Sequence, residues 1–181
     1  VGPSGNLVSL VAEVGGFWDI GDTHVSVPWE EVTFTKDGRV EVPVTQENVG
    51  EFGFFLSPSK QKLEKDVISG LDDKPLGPRA WRASELIGDL VRVTGNTDTS
   101  ADGAGRYLGY GYVQDLIFVD GRVAATVVER NAGYGIGGRY SYPYFGYDYG
   151  WHPGNRYYDL PFNQDEANRA EMFDYERLDD S

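Results

Sequence analysis

The chain contains no cysteine. That removes disulfide staples, a thiolate nucleophile and any Cys-ligated metal. It has two histidines, His24 and His152, far apart in the sequence. A zinc or histidine-base site would therefore need ligands converging from elsewhere, and neither histidine has a clear second ligand nearby. Positive charge is scarce: 16 Lys and Arg against 29 Asp and Glu leave a formal net charge of −13. Phosphate binding runs on Lys and Arg, so this balance argues against nucleic acid. It argues equally against docking on anionic lipid, and it suits a soluble acidic surface, a basic partner or cations. No apolar run reaches the roughly 20 residues that cross a bilayer as a helix. There is no phosphate loop, dinucleotide glycine signature or nucleophile elbow. The sequence opens at Val1 with no signal-peptide pattern, as expected of a mature or trimmed form.

What is present is glycine and tyrosine, 24 and 12 in 181 residues, the tyrosines concentrated towards the C-terminal half. The organising stretch is Val113 to Glu129, VQDLIFVDGRVAATVVE. Asp120-Gly121 between two β-branched runs predicts a tight hairpin, because both central residues of a type I′ turn need positive φ. Its second half, GRVAATVVE (Gly121 to Glu129), lines up with GNLVSLVAE (Gly5 to Glu13). A second landmark follows each copy: Val27-Pro28-Trp29 after the first, Leu160-Pro161-Phe162 after the second. Two landmarks in the same order indicate a tandem duplication of a small all-β unit. By this alignment the first unit lacks about two N-terminal strands, so an open sheet edge would need pairing or cover.

Along the chain, residues 7–14 and 25–27 read as strands, with Pro28 at a strand end. Lys36 to Arg39 reads as a turn, and Val40 to Val44 as the returning strand. Thr45 to Phe52 reads as a helical turn with Thr45 as N-cap; Asn48 stands where a capping box would have Glu or Gln. A linker at 57–82 carries a possible short helix from Ser59 to Leu71. The second unit, 83–181, holds strands around Leu90 to Val93 and the Asp-Gly hairpin. A Gly/Tyr-rich insert at 131–156 follows, then a terminal helix from Asn163 to Leu178 with Ala167, Ala170, Met172 and Phe173 facing inward.

The segments SELIGDLVRV and GYVQDLIFVDGRVAATVVE, followed by an apolar-Pro-aromatic strand, resemble the PRC-barrel family. GGFWDIGDTHVSVPWEEV in the first unit is similar to the same family's glycine-rich turn and next strand. The resemblance implies an all-β fold of two tandem small PRC-like β-barrels, with a short linker helix and a C-terminal helix. The first barrel would occupy 1–56. The family has no shared catalytic residues, so the resemblance implies a non-catalytic structural or protein-interaction module. Such a module would be an accessory subunit of a larger membrane-associated or envelope assembly, in a bacterial periplasm or envelope rather than the cytoplasm. No enzyme activity and no cofactor are expected.

The contact residues expected are Phe17 and Trp18 in the first glycine turn, with Tyr140, Tyr142, Tyr144, Phe145, Tyr147, Tyr149 and Trp151 in the insert. Aromatics spaced by glycine give large contact area at low entropy cost. The insert could equally fold over its own barrel. As a binding loop it should be removable, residues 134–155, without loss of the fold. The partner would be a protein, or another copy joined through the open first barrel and the insert. The alternative is a cation-binding acidic protein. Asp98, Ser100 and Asp102, followed by Gly103, have the opening spacing of a calcium loop, although Gly109 stands where its bidentate glutamate belongs.

Overall fold

The computed structural model describes residues 1–14, 23–54, 80–95, 107–134, 137–147 and 149–178. The chain is mostly β and divides into two units. One comprises Leu7–Ile68; the other joins Val1–Asn6 to Ser69–Ser181.

In the smaller unit, β1 (Ser9–Val14) pairs antiparallel with β2 (Thr23–Pro28). β2 also pairs with β5 (Gly53–Phe54). A separate ribbon joins β3 (Thr33–Phe34) to β4 (Val40–Glu41), so the returning strand expected through Val44 ends early. Gly38, at φ 78°, makes the turn between them. Val25 and Val27 are fully buried, and Pro28 ends its strand, where its missing N–H breaks no ladder. Asn48 does the work expected of a longer side chain. Its Oδ1 accepts from the Thr45 N–H at 2.6 Å while Thr45 Oγ1 accepts from the Asn48 N–H at 3.3 Å.

The larger unit is built on a five-stranded sheet: β6 (Leu90–Thr94), β7 (Tyr107–Val119), β8 (Arg122–Arg130), β9 (Gly138–Pro143) and β10 (Tyr157–Asn163). The spatial order is β10-β6-β7-β8-β9, with only the β10–β6 pair parallel. The predicted hairpin is β7–β8, and Asp120 and Gly121 take φ of 48° and 72°, as a type I′ turn requires. No closed barrel forms among the described residues; β9 and β10 are the sheet's edges. Val91, Val93, Val113, Val123, Val127 and Val128 build its core.

The two units share one hairpin register. In the smaller, Ser9 faces Pro28, Leu10 faces Val27, Val11 faces Ser26 and Glu13 faces His24. In the larger, Ala125 faces Pro143, Thr126 faces Tyr142, Val127 faces Ser141 and Glu129 faces Arg139. Superposing the registers sets Val-Ser-Val-Pro-Trp (25–29) against Tyr-Ser-Tyr-Pro-Tyr (140–144). The Val-Pro-Trp landmark therefore corresponds in pairing to Tyr142-Pro143-Tyr144. Leu160-Pro161-Phe162 lies instead on β10, which pairs with β6. The 131–156 segment is accordingly no simple insertion, since it supplies β9.

The terminal helix is shorter than expected. Helix α1 covers Gln164–Ala167, and a 3-10 turn covers Tyr175–Leu178. Its start is as expected. Asn163 Oδ1 accepts from the Glu166 N–H while Glu166 Oε2 accepts from the Asn163 N–H, both at 2.9 Å. Ala167 is buried, but Met172 is exposed. The chain leaves the helix because β9 is an edge. Met172 bridges Tyr140, and the Phe173 N–H donates to the Arg139 carbonyl at 2.8 Å, satisfying edge groups that a continuing helix would leave open.

Residues Val1–Asn6 lie along the larger unit. The Trp81, Tyr147 and Val123 N–H groups donate to the carbonyls of Val1, Pro3 and Gly5. Asn6 bridges Arg122. Gly146 is required here, because a Cβ on it would sit 2.2 Å from the Pro3 carbonyl oxygen.

Candidate functional site

The tyrosine-rich segment follows strand chemistry. Along β9, Tyr140 and Tyr142 alternate with Arg139 and Ser141, so both rings point into the core while Arg139 points out. Beyond Pro143 the chain coils back, and its rings pack against each other. Trp151, fully buried, meets Tyr144 and Tyr147 edge-on at centroid distances of 6.4 and 5.1 Å. Phe145 meets Phe162 at 5.8 Å. Gly150 fits because a Cβ there would lie 2.7 Å from the Asp159 carbonyl oxygen.

Polar groups pin this cluster. Buried Glu85 accepts from Trp151 Nε1 at 2.8 Å and from the Gly154 N–H at 2.9 Å. The Phe145 N–H donates to the Tyr158 hydroxyl at 2.7 Å, and the Tyr147 hydroxyl donates to the Val1 carbonyl at 2.6 Å. Burial pushes the phenols of Tyr144 and Tyr158 above their ordinary value; neighbouring Tyr147 and Tyr158 add to the rise at Tyr144. The Tyr144 hydroxyl is buried without a hydrogen-bond partner among the described residues.

The expected contact residues therefore separate. Tyr140, Tyr142 and Trp151 are core, and Tyr144, Phe145 and Tyr147 are half-buried in the ring cluster. Tyr149 is the one displayed outward, at 74% exposure. The segment cannot be deleted with the fold intact, since residues 134–155 include β9 and Trp151. Phe17, Trp18, the Asp98, Ser100 and Asp102 loop and the Ser59 to Leu71 helix lie outside the described residues. Among the described residues no three His, Asp or Glu side chains converge as a metal site.

A different surface emerges on the outer face of the five-stranded sheet. One cross-strand row runs Tyr157, Leu90, Tyr112, Glu129, Arg139. Tyr112 is 50% exposed, and Tyr107 on the same strand equally so. Glu129 Oε2 lies 3.9 Å from Arg139 Nε, and the Arg139 guanidinium sits 5.6 Å from the Tyr175 ring. The Tyr175 hydroxyl donates to Asp115 Oδ2 at 3.2 Å. The smaller unit carries a corresponding pair at the same register, with His24 Nε2 3.8 Å from Glu13 Oε2.

Beside the row, Arg92 is clasped. Its Nε and Nη2 donate to the two oxygens of Asp159 at 2.7 and 2.8 Å, and its guanidinium lies 3.5 Å from the Tyr157 ring centre and 4.5 Å from that of Tyr107. The hydrogen bond to Asp159 raises the Arg92 pKa further, against a smaller desolvation effect. His152 Nε2 stands 3.5 Å from Asp159 Oδ2. The partner that the sequence left unidentified for His152 is thus seven residues on, brought close by the turn at 153–156. Asp159 already commits both oxygens to Arg92, so this group positions side chains and is poorly placed to remove a substrate proton.

This face is barely legible in the sequence. Its one signal is the spacing of Tyr107 and Tyr112 on β7, five apart, which a plain alternation would put on opposite faces. Tyr110 between them occupies an irregularity in the β6–β7 register, which restores both neighbours to the outside.

No protein-family model matches the chain, and neither a curated protein nor a solved structure does.

Proposed function

We propose that the protein is a non-catalytic interaction module that docks a protein partner on the outer face of its five-stranded sheet. The observation that carries this reading is the row Tyr157–Leu90–Tyr112–Glu129–Arg139, which crosses all five strands and presents tyrosine and arginine to solvent. Tyrosine and arginine are the residues that dominate interface energetics, since they combine broad contact area with directional hydrogen bonds. The rings and ion pairs beneath and beside the row fix its side chains in advance, which reduces the ordering cost of binding. Tyr107, opposite Thr94 on the same strand as Leu90, extends the aromatic surface at its margin.

The shared hairpin register supports a further part of the reading: that the chain is a tandem duplication of a PRC-like β unit. A duplicated unit without catalytic residues fits an accessory subunit of a larger assembly, at a membrane or in an envelope. No helix among the described residues is long and apolar enough to cross a membrane. Attachment to such an assembly would then run through the sheet face.

The test is a Tyr112→Ser, Arg139→Ser double variant of the whole chain. Its partner should be lost from the natively purified particle while its urea midpoint stays within experimental error of the parent. Retention of the partner would remove the sheet face from the interface.

A further inference from the structure

Strands β1 and β8 hold the same place in the two related hairpins. The alignment of residues 5–13 with 121–129, and the pairing of each strand with the next, give one correspondence: Ser9 with Ala125, Leu10 with Thr126, Val11 with Val127, Ala12 with Val128, Glu13 with Glu129. A bond beyond each ladder repeats as well. The Trp29 N–H donates to the Val8 carbonyl, and the Tyr144 N–H donates to the Ala124 carbonyl. The two strands differ on their other edge. There β8 is flanked by β7, and Thr126, Val127 and Val128 are fully buried. β1 ends its sheet, in the order β1-β2-β5, and Leu10, Val11 and Ala12 are only half-buried, with Val8 51% exposed.

The residues just before β1 do not act as a counterpart of β7. To do so they would have to fold back at Gly5, as β7 and β8 fold at Gly121. Instead Val1–Asn6 belongs to the larger unit: the Gly5 N–H donates to the Gly2 carbonyl at 2.9 Å, and the Gly5 carbonyl accepts from the Val123 N–H. Alternate residues of a paired strand turn their backbone groups to opposite edges. Because the Val8 carbonyl faces β2, Leu10 and Ala12 serve that ladder, while Ser9, Val11 and Glu13 point outward. No strand pairs with them there among the described residues. Natural edges are guarded by proline, lysine or a bulge. β1, Ser-Leu-Val-Ala-Glu-Val, has neither residue, and its register with β2 runs unbroken.

We propose that the outer edge of β1 accepts an extended strand of another protein, paired antiparallel as β7 pairs with β8. The register of the larger unit specifies the strand's chemistry. Leu10 and Ala12 stand opposite Val27 and Val25, both fully buried, so they share the inner face. The residues added opposite them are then apolar, as Leu116 is opposite Thr126 and Val113 is opposite Val128. Glu13 is exposed and matches Glu129, which faces Tyr112, so its new neighbour is a tyrosine or a basic residue. A second copy fits less well. β1 paired with itself about Val11 would set Glu13 against Ser9 and bring together two chains of net charge −13. Main-chain hydrogen bonds supply affinity at such an edge, and alternate side chains supply specificity. The site lies in the smaller unit and does not rest on the tyrosine and arginine row of the larger one.

The experiment uses the full chain and reads amide hydrogen exchange at Ser9, Val11 and Glu13. The probe is a peptide of residues 111–120, GYVQDLIFVD, the strand that covers the equivalent edge of β8, with a lysine tail for solubility. Beside it stand the same peptide carrying Tyr112→Lys and the same peptide N-methylated on alternate residues along its pairing edge. In the free chain the Val11 amide should exchange quickly. The plain peptide should slow it saturably, by about tenfold or more at excess, and the Tyr112→Lys peptide should bind more tightly at low salt. The N-methylated peptide should leave it unchanged. Val11→Pro removes the outward N–H and spares the β1–β2 ladder, so it should lose the peptide while the β2 amides keep their protection. If that variant does not fold, the plain and N-methylated peptides decide by themselves. Three results would overturn the proposal: a Val11 amide already protected in the free chain, protection that grows with the chain's own concentration as a second copy would give, or no difference between the plain and N-methylated peptides.

Discussion

Replacing Trp151 by Ala separates a tryptophan held for binding from one held for folding. The side chain is fully buried, meets Tyr144 and Tyr147 edge-on, and donates Nε1–H to Glu85. Truncating a buried tryptophan costs about 3–5 kcal/mol through lost transfer free energy and the cavity left behind. Glu85, a buried carboxylate, would also lose the Trp151 donor, at a further cost of about 1–3 kcal/mol. Domains are stable by only about 5–15 kcal/mol, so the loss should consume much of the larger unit's stability. With a urea dependence near 2 kcal/mol per molar, the midpoint should fall by about 2 M or more. The two units need not unfold together, so the transition is best followed by amide hydrogen exchange of β8, which belongs to the larger unit alone. Trp151→Phe, which retains most of the ring but not the N–H, should recover over half of the loss. A surface tryptophan would change stability by no more than about 0.5 kcal/mol on removal. A midpoint unchanged in Trp151→Ala would refute the placement of this residue and of the ring cluster around it.

Other consequences follow from the same contacts. Tyr144→Phe removes a buried hydroxyl that lacks a partner, and it should raise the urea midpoint by the equivalent of up to about 1 kcal/mol; a loss of that size would mean the hydroxyl is bonded. Burial raises the phenol pKa of Tyr110, Tyr144 and Tyr158 above the ordinary value of 10.0. Their contribution to stability is therefore complete below pH 10 and is lost as pH climbs towards the folded values, because the unfolded chain gives up three protons that the folded chain retains. The slope should be about 4 kcal/mol per pH unit at most, read from urea midpoints at pH 9, 10 and 11 beside tyrosinate absorbance; flat midpoints across that range would contradict it. Asp159→Asn should destabilise by about 2 kcal/mol, since the Arg92 clasp is only partly buried, whereas Glu129→Gln on the exposed pair should cost under about 1 kcal/mol, and equal effects would argue against the burial difference. Gly146→Ala places a methyl against the Pro3 carbonyl and should release residues 1–6, seen as faster exchange of the Val123 amide.

The hairpin was legible because Asp120-Gly121 encodes its turn locally, and the α1 start because Asn163 and Glu166 form a box four residues long. β9 was harder to see. Gly-Arg-Tyr-Ser-Tyr-Pro contains no aliphatic residue, yet its period of two, Tyr140 and Tyr142 against Arg139 and Ser141, is a strand signal, and its match to Val-Ser-Val-Pro was there to be read. Reading the glycines and tyrosines as loop composition obscured both. The end of α1 depended on a distant fact, the open edge of β9, which no local propensity announces. The same holds for the outer face. Its row joins residues from five strands, so its members become neighbours only once every register is known.

The most direct test of the interaction reading is the mass of the particle purified natively from its source cells, beside that of the isolated chain. The expected particle is well above the mass of one chain, with other polypeptides present, and falls to the mass of one chain when Tyr112 and Arg139 are both replaced by serine. A native particle with the mass of a single chain would contradict it.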